Sequence, residues 1–219
     1  MANCCLNTLT IRGDEETIKQ CLNQIKNVDE GEVIDLNNID PMPKELSEVI
    51  ASPHLLHDVK ILKKELSGEE LSAEEKEQLN SARFDGKNNR ENAKKSLHCK
   101  EVYGRYSWYD WHLAHWGVKT TAYDSTLEWI KYHKKKECRI RFITPWEPPV
   151  KAMIKLSKQY PTLTFMFKAE EPGTGIDFSD VWRNGEGRIP APTKQQEKAL
   201  DLLLEYCLGN ETLEGIQLS

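Results

Sequence analysis

The chain predicts an α+β fold, an antiparallel sheet carrying helices with a helical arm inserted, and three observations predict it. A period-two strand at residues 4–12 leads through Gly13 directly into an amphipathic helix. A second passage from strand to helix recurs at residues 138–159. Between the two, composition turns charged and helix-forming from Ser47 to Asn92.

The first strand shows Thr8, Thr10 and Arg12 set against Leu9 and Ile11, the alternation of a half-buried strand. Gly13 ends it. Asp14 stands where an N-cap belongs, and Glu15 and Glu16 suit the positive end of the helix dipole. Ile18, Cys21, Leu22 and Ile25 then fall on one stripe, which predicts a helix of about three turns. Val33–Leu36 reads as a short strand. Pro41 and Pro43 hold an extended loop that enters a helix near Lys44.

Ser67-Gly-Glu-Glu and Ser72-Ala-Glu-Glu each offer a helix start with acid in the first turn, so an inserted arm is expected over residues 44–100. Within it, Arg83–Lys100 is rich in charge and poor in apolar residues, and reads as a mobile loop. Three of the six tryptophans and three of the seven tyrosines follow between Tyr103 and Gly117. Ser107–Trp116 reads as a helix closed by Gly117 in a left-handed turn.

Ser125–Tyr132 reads as another helix, Cys138–Thr144 as a strand, and Val150–Gln159 as a helix opened by the stiff Pro145-Trp-Glu-Pro-Pro149 turn. Leu163–Glu170 is a strand, and residues 173–187 read as two short strands about a turn. A helix at Thr193–Leu208 closes the chain, with Ala199, Leu200, Leu203, Leu204 and Cys207 as its stripe. This order is that of a split βαβ, ferredoxin-like sandwich. It places one domain at residues 1–186 and a C-terminal helical extension at 187–219 packing on the same domain.

The formal net charge of −5 gives no global field to draw in phosphate backbones, so nucleic-acid binding would need a local basic patch. No apolar run reaches the roughly 18–20 residues of a membrane span, and Met1-Ala-Asn-Cys-Cys lacks the layout of a signal peptide, so a cytoplasmic protein is expected. Cys4, Cys5, Cys21, Cys99, Cys138 and Cys207 form no C-x-x-C pair and read as reduced thiols in packing roles.

Four blocks carry a resemblance. They are Asn7-x-Leu9-x-Ile11-x-Gly13, Leu36-Asn-x-Ile39-x-Pro41-Met-Pro43, Trp108-Tyr-Asp-Trp111-x-x-x-x-Trp116-Gly-x-Lys119, and Phe142-x-Thr144-Pro-Trp146-x-Pro-Pro149. In this order they resemble the YubB-type ferredoxin-like domain family of phage and conjugative-plasmid proteins. Thr120 departs from the pattern, which has a second tryptophan there. The resemblance implies a mobile-element setting and a host-cell cytoplasmic location, and no established reaction.

Each candidate residue also has an ordinary structural role. His98, Cys99, His112 and His115 offer zinc-type donors without the spaced pairs of a closed site, and packing is preferred. Asp110 between aromatics reads as a hydrogen-bond acceptor rather than an acid or base. Trp146 reads as a staple of its helix to the core, and the Gly173-Thr-Gly175 and Gly185-Glu-Gly187 segments as turns. Lys131, His133, Lys134, Lys135, Lys136, Arg139 and Arg141 are the concentrated basic run, read first as a solvated helix terminus and second as a phosphate-binding patch.

No catalytic residue, metal or cofactor is therefore expected. The leading expectation is a non-enzymatic accessory protein that binds and inhibits a host protein complex, a counter-defence role of the anti-CRISPR type. Its candidate binding residues are Trp108, Tyr109, Trp111, Trp116, Lys119 and Trp146. The inserted arm is a natural place for partner-specific surface. The alternatives are a nucleic-acid-binding regulator using the run at 131–141, and a ligand-sequestering or hydrolytic protein using the aromatic block.

Overall fold

The computed structural model describes residues 3–82, 88–132 and 135–187. In chain order its elements are β1 (Cys4–Arg12), α1 (Glu15–Ile25), α2 (Leu36–Ile39), α3 (Lys44–Ser47), α4 (Leu55–Leu66), α5 (Ala73–Asn80), α6 (Asn89–Tyr103) and α7 (Trp108–His115). They continue with β2 (Tyr123–Tyr132), β3 (Lys135–Pro145), α8 (Val150–Gln159), β4 (Thr164–Glu171) and β5 (Ile176–Trp182). The described residues fall into two compact units. One holds 3–41 and 112–187, the other 42–111, and the boundary lies inside α7 between Trp111 and His112.

The first unit is a five-stranded sheet in the order β2-β3-β1-β4-β5, with every neighbouring pair antiparallel. β1 and β2 flank β3, and β3 and β4 flank β1, so both strand–helix–strand passages skip one position. This is the expected ferredoxin-like arrangement with a fifth strand added. Asp14 caps α1 by accepting the Thr17 N–H at 3.0 Å. Leu9 lies opposite Ile140 and Phe167, and Ile11 opposite Cys138 and Phe165, which in turn faces Trp182. All of these side chains are buried, as are Ile18, Cys21 and Ile25 of α1 and Ala152, Met153 and Leu156 of α8. Each fully buried Leu, Ile or Phe contributes roughly 1.5–3 kcal/mol of transfer free energy, so this row anchors the unit. The opposite face carries Leu6, Thr8, Arg12, Arg141 and Lys168.

The second unit is helical, as the composition of the arm implied. Ser72 and Glu75 form a capping box on α5, Gln78 binds the buried Asp58 at 2.8 Å, and Lys64 pairs with Glu75 at 2.7 Å. Asn92 holds both the N–H and the carbonyl of Ile50, each at 3.0 Å.

Several expectations are corrected. Residues 125–132 are not a helix but part of β2, paired with β3 from Thr126 to Tyr132. The stretch fits both periods over its short length, and cross-strand pairing decides it. Val33–Leu36 forms no strand, because Asp35 accepts the Asn37 N–H at 2.9 Å and starts α2. Much of the supposed mobile loop is α6, capped by Asn88 on the Glu91 N–H at 2.9 Å and ended by Gly104 at φ 72°. Its buried stripe is Asn92, Ala93, Ser96 and Cys99, residues too small and polar to mark a helix face by hydropathy. Residues 173–187 yield one strand, β5, which forms a hairpin with β4. Residues 188–219, with the expected closing helix and the C-terminal extension, lie outside the described residues.

Candidate functional site

β2 is an edge strand of the sheet. Leu127 lies opposite Ile140 and Trp129 opposite Cys138, so both point to the face that carries α1. Their partners are fully buried, while Leu127 and Trp129 remain 39% and 40% exposed. Strand pairing sets the direction, and the lack of cover over an edge position sets the exposure. These two side chains line a groove of about 800 Å³ together with Glu15, Lys19 and Leu22 of α1 and Lys26 just past its end. The turn containing Val28, itself 73% exposed, closes one end together with Glu32 and Val33.

Glu32 fixes that end. Its carboxylate accepts the N–H groups of Asp124 at 3.0 Å and Ser125 at 2.8 Å, and the Ser125 hydroxyl as well. The Val33 N–H in turn donates to the Ser125 oxygen at 2.6 Å. Asp124 has φ 52°, and the β2–β3 register shifts between Tyr123 and Thr126, which marks a bulge at the start of the edge strand. Burial raises the Glu32 carboxyl pKa, but the hydrogen bonds from Ser125 and Asp124 outweigh it and hold the group below its ordinary range.

A second polar cluster sits at the end of α2. Asp40 is buried, and its carboxylate accepts from His115 at 3.0 Å and from Lys155. Its carbonyl accepts the indole N–H of Trp116 at 2.9 Å. Burial works against the Asp40 charge, yet the hydrogen bonds from His115 and Lys155 lower its pKa overall. The His112 ring stacks on Trp116 at 3.8 Å and meets the Lys119 carbonyl at 2.7 Å, and its burial depresses its pKa. This cluster ties α2, α7 and α8 together.

The sequence-derived candidates scatter over these places. Trp108, Tyr109 and Trp111 fall in the helical unit, where Trp108 and Tyr109 are half-buried and Trp111 is 3% exposed. Trp116, also 3% exposed, is a core residue of the sheet unit, and Lys119 is exposed there. Trp146 does not staple α8 to the core. It is 47% exposed, held at φ 68° in the turn after β3. Asp110 accepts the N–H groups of Tyr106 and Ser107 and the Ser107 hydroxyl at 2.7–2.8 Å, so it organises the start of α7.

The basic run is no helix terminus but the β2–β3 hairpin. Lys131 shares the Trp129 face, whereas Arg139 and Arg141 lie on the opposite one. Arg141 pairs with Glu128 at 2.7 Å. His133 and Lys134 lie outside the described residues, and Lys135 and Lys136 open β3. Among the described residues no group of three or more His, Cys, Asp and Glu is placed to hold a metal. His98 is exposed and Cys99 buried on α6.

Reading residues 125–132 as a helix hid Leu127 and Trp129. The signal was present: Thr126, Glu128 and Ile130 alternate with Leu127, Trp129 and Lys131.

Comparison with known proteins bears on the C-terminal half of the sheet. Residues 123–184 match the model of the ferredoxin-like domain in Api92-like protein. That segment runs from β2 to β5. A solved structure, protein api92 from Yersinia pseudotuberculosis, is similar at 11% identity and a TM-score of 0.43, over 88% of this chain and 99% of that one. No curated protein matches. Neither description names an enzymatic activity. No helix among the described residues is long and apolar enough to cross a membrane.

The charged groups around the groove are engaged within the protein. Lys19 is engaged by Glu15 at 3.3 Å and Glu16 at 2.7 Å, Lys26 reaches Asn23 at 3.0 Å, and Glu32 is spent on the bulge. What it presents is an apolar floor with a polar rim.

Proposed function

We propose that this chain is a non-enzymatic binding protein that engages a partner protein through the groove between α1 and β2. The observation that carries this is the exposure of Leu127 and Trp129 on the face where their neighbours are core. Apolar surface rimmed by polar groups marks interaction sites, and tryptophan is enriched among the residues that dominate binding energy. The partner is a host protein complex, and its inhibition is a counter-defence act of the anti-CRISPR type in the host cytoplasm. The mobile-element setting of that statement rests on the motif resemblance to the YubB-type family alone.

The test is site-specific photo-crosslinking in bacterial cells, with the reactive group at position 129 or at Lys168 on the opposite sheet face. A cross-linked protein is identified, purified and titrated with the unmodified chain. Crosslinking from 129 and about tenfold or greater weakening by Trp129→Ala support the groove, since a dominant anchor contributes at least about 2 kcal/mol. Equal affinity of wild type and a folded Leu127→Ser/Trp129→Ala variant contradicts it.

A further inference from the structure

We infer that the free edge of β2 pairs antiparallel with β2 of a second copy of this chain, about a two-fold axis at Trp129. The inference stands without the partner protein proposed above, and it joins two grooves into one trough that such a partner would meet. β2 ends the sheet, and among the described residues no strand pairs with its outer edge. An unpaired edge offers a row of N–H and C=O groups, which proteins ordinarily blunt by shortness, proline, bulges or cover. β2 runs for ten residues without proline or glycine. Its bulge falls at Asp124 and Ser125, whose N–H groups Glu32 accepts. The open stretch is therefore Thr126–Tyr132, and Trp129 is its midpoint.

Register follows from that midpoint. A two-fold axis there sets Trp129 opposite Trp129 of the second copy, Leu127 opposite Lys131, and Glu128 opposite Ile130, so the whole open stretch is used. Residues opposite one another share a face. The exposed Leu127 and Trp129 of both copies thus meet in one apolar cluster on the face that carries α1. An axis at Glu128 would set two carboxylates opposite each other, which strand pairs disfavour. An axis at Ile130 would leave Thr126 and Leu127 beyond the end of the opposing strand.

The two ends of the strand differ in charge, and antiparallel pairing brings unlike ends together. At the start of β2, Asp124 stands with Asp29, Glu30 and Glu32 of the adjoining turn, against the single ammonium of Lys26. Toward the other end come Lys131 and, across the hairpin, Lys135 and Lys136. There Glu15 and Glu16, at the start of α1, share Lys19 between them. The two-fold sets the acidic start of each strand beside the basic end of the other, and complementary charge of this kind fixes register and speeds encounter. A single strand pair is small beside the roughly 1,200–2,000 Å² of a stable complex, so the dimer is weak, with a dissociation constant on the order of 10–100 μM.

The test is sedimentation velocity of the full chain from about 1 μM to 1 mM, a range that brackets this affinity. Wild type passes from monomer to dimer across it. Trp129→Lys, checked by its melting curve, stays monomeric, and Lys131→Glu weakens the dimer about tenfold or more. Lys168→Glu, on the opposite sheet face, leaves it unchanged. Register is read with Leu127→Cys and Lys131→Cys, each made in a Cys4→Ser/Cys207→Ser chain. Under mild oxidation the two form a disulfide when mixed, and neither forms one alone.

A monomer at every concentration, a dimer that survives Trp129→Lys in a folded variant, or equal disulfide yield from Leu127→Cys alone overturns the inference. A strictly monomeric chain that crosslinks another protein from position 129 also overturns it, and leaves the partner reading standing. A dimer with the expected register and no crosslink to another protein from 129 upholds it, and removes the partner reading.

Discussion

The side-chain amide of Asn7 donates to the hydroxyl of Thr144 at 2.8 Å, joining β1 to the end of β3 across 137 residues of chain. The same amide reaches the Cys5 carbonyl at 3.0 Å, and the Thr144 hydroxyl donates in turn to the Glu147 carbonyl at 2.7 Å. Both residues are buried. Two of the motif blocks thus meet in one hydrogen-bonded chain that shapes the turn carrying Trp146. Asn7→Ala removes the amide donor from the buried Thr144 hydroxyl and the Cys5 carbonyl and should cost about 1–3 kcal/mol in urea unfolding. A double-mutant cycle with Thr144→Val should show coupling of at least about 0.5 kcal/mol. Strict additivity would remove the tie.

Two tryptophans of the sheet unit should part company in stability. Trp116→Ala removes a buried ring and its bond to the Asp40 carbonyl, and should cost about 3–5 kcal/mol. Trp129→Ala should cost less than about 1.5 kcal/mol, because much of that ring already meets water. Thermal melts of the two variants side by side check the difference, and equal losses would place Trp129 in the core.

Acid should unfold the protein in two stages. The His112 pKa is depressed by burial from its ordinary 6.5, so the unfolded chain binds the extra proton and stability falls as pH drops below about 6.5. Glu32 and Asp40 are held below their ordinary 4.5 and 3.8, so their contribution is present above those values and lost as pH falls through the lower folded ones. The urea midpoint measured from pH 8 to 3 should decline in both windows. His112→Phe should flatten the first and leave the second, whereas Glu32→Gln should lessen the second.

The sequence made the sheet's central strands legible because Leu9, Ile11, Ile140 and Phe142 alternate with polar neighbours, and it made α1 and α8 legible because their apolar stripes are uninterrupted. β2 escaped because an edge strand needs only half its residues apolar, and Thr126–Ile130 satisfies a short helix equally well. α6 escaped because its buried side is alanine, serine and cysteine. The aromatic block drew attention to Trp111 and Trp116, yet density of aromatics does not separate core from surface. The separation came from pairing register, which set Trp129 over an uncovered strand.

Oligonucleotide binding should be weak and lost with modest salt. Strand alternation divides Lys131 from Arg139 and Arg141, while Glu137, Glu128 and Glu170 pair with Arg12, Arg141 and Lys168 on the open face. Each phosphate contact adds about 0.7–0.9 to the log–log salt slope. Fluorescence anisotropy should give a slope of no more than about 2, equivalent to two or three contacts. A steep slope abolished by Arg139→Glu/Arg141→Glu would restore the regulator.

Photo-crosslinking from position 129 in living cells, read against position 168, tests the groove most directly. A partner joined from 129 and not from 168, whose affinity for the purified chain drops about tenfold or more with Trp129→Ala, is the expected result. A partner joined from 168 alone, bound equally by wild type and the Leu127→Ser/Trp129→Ala variant, would contradict it.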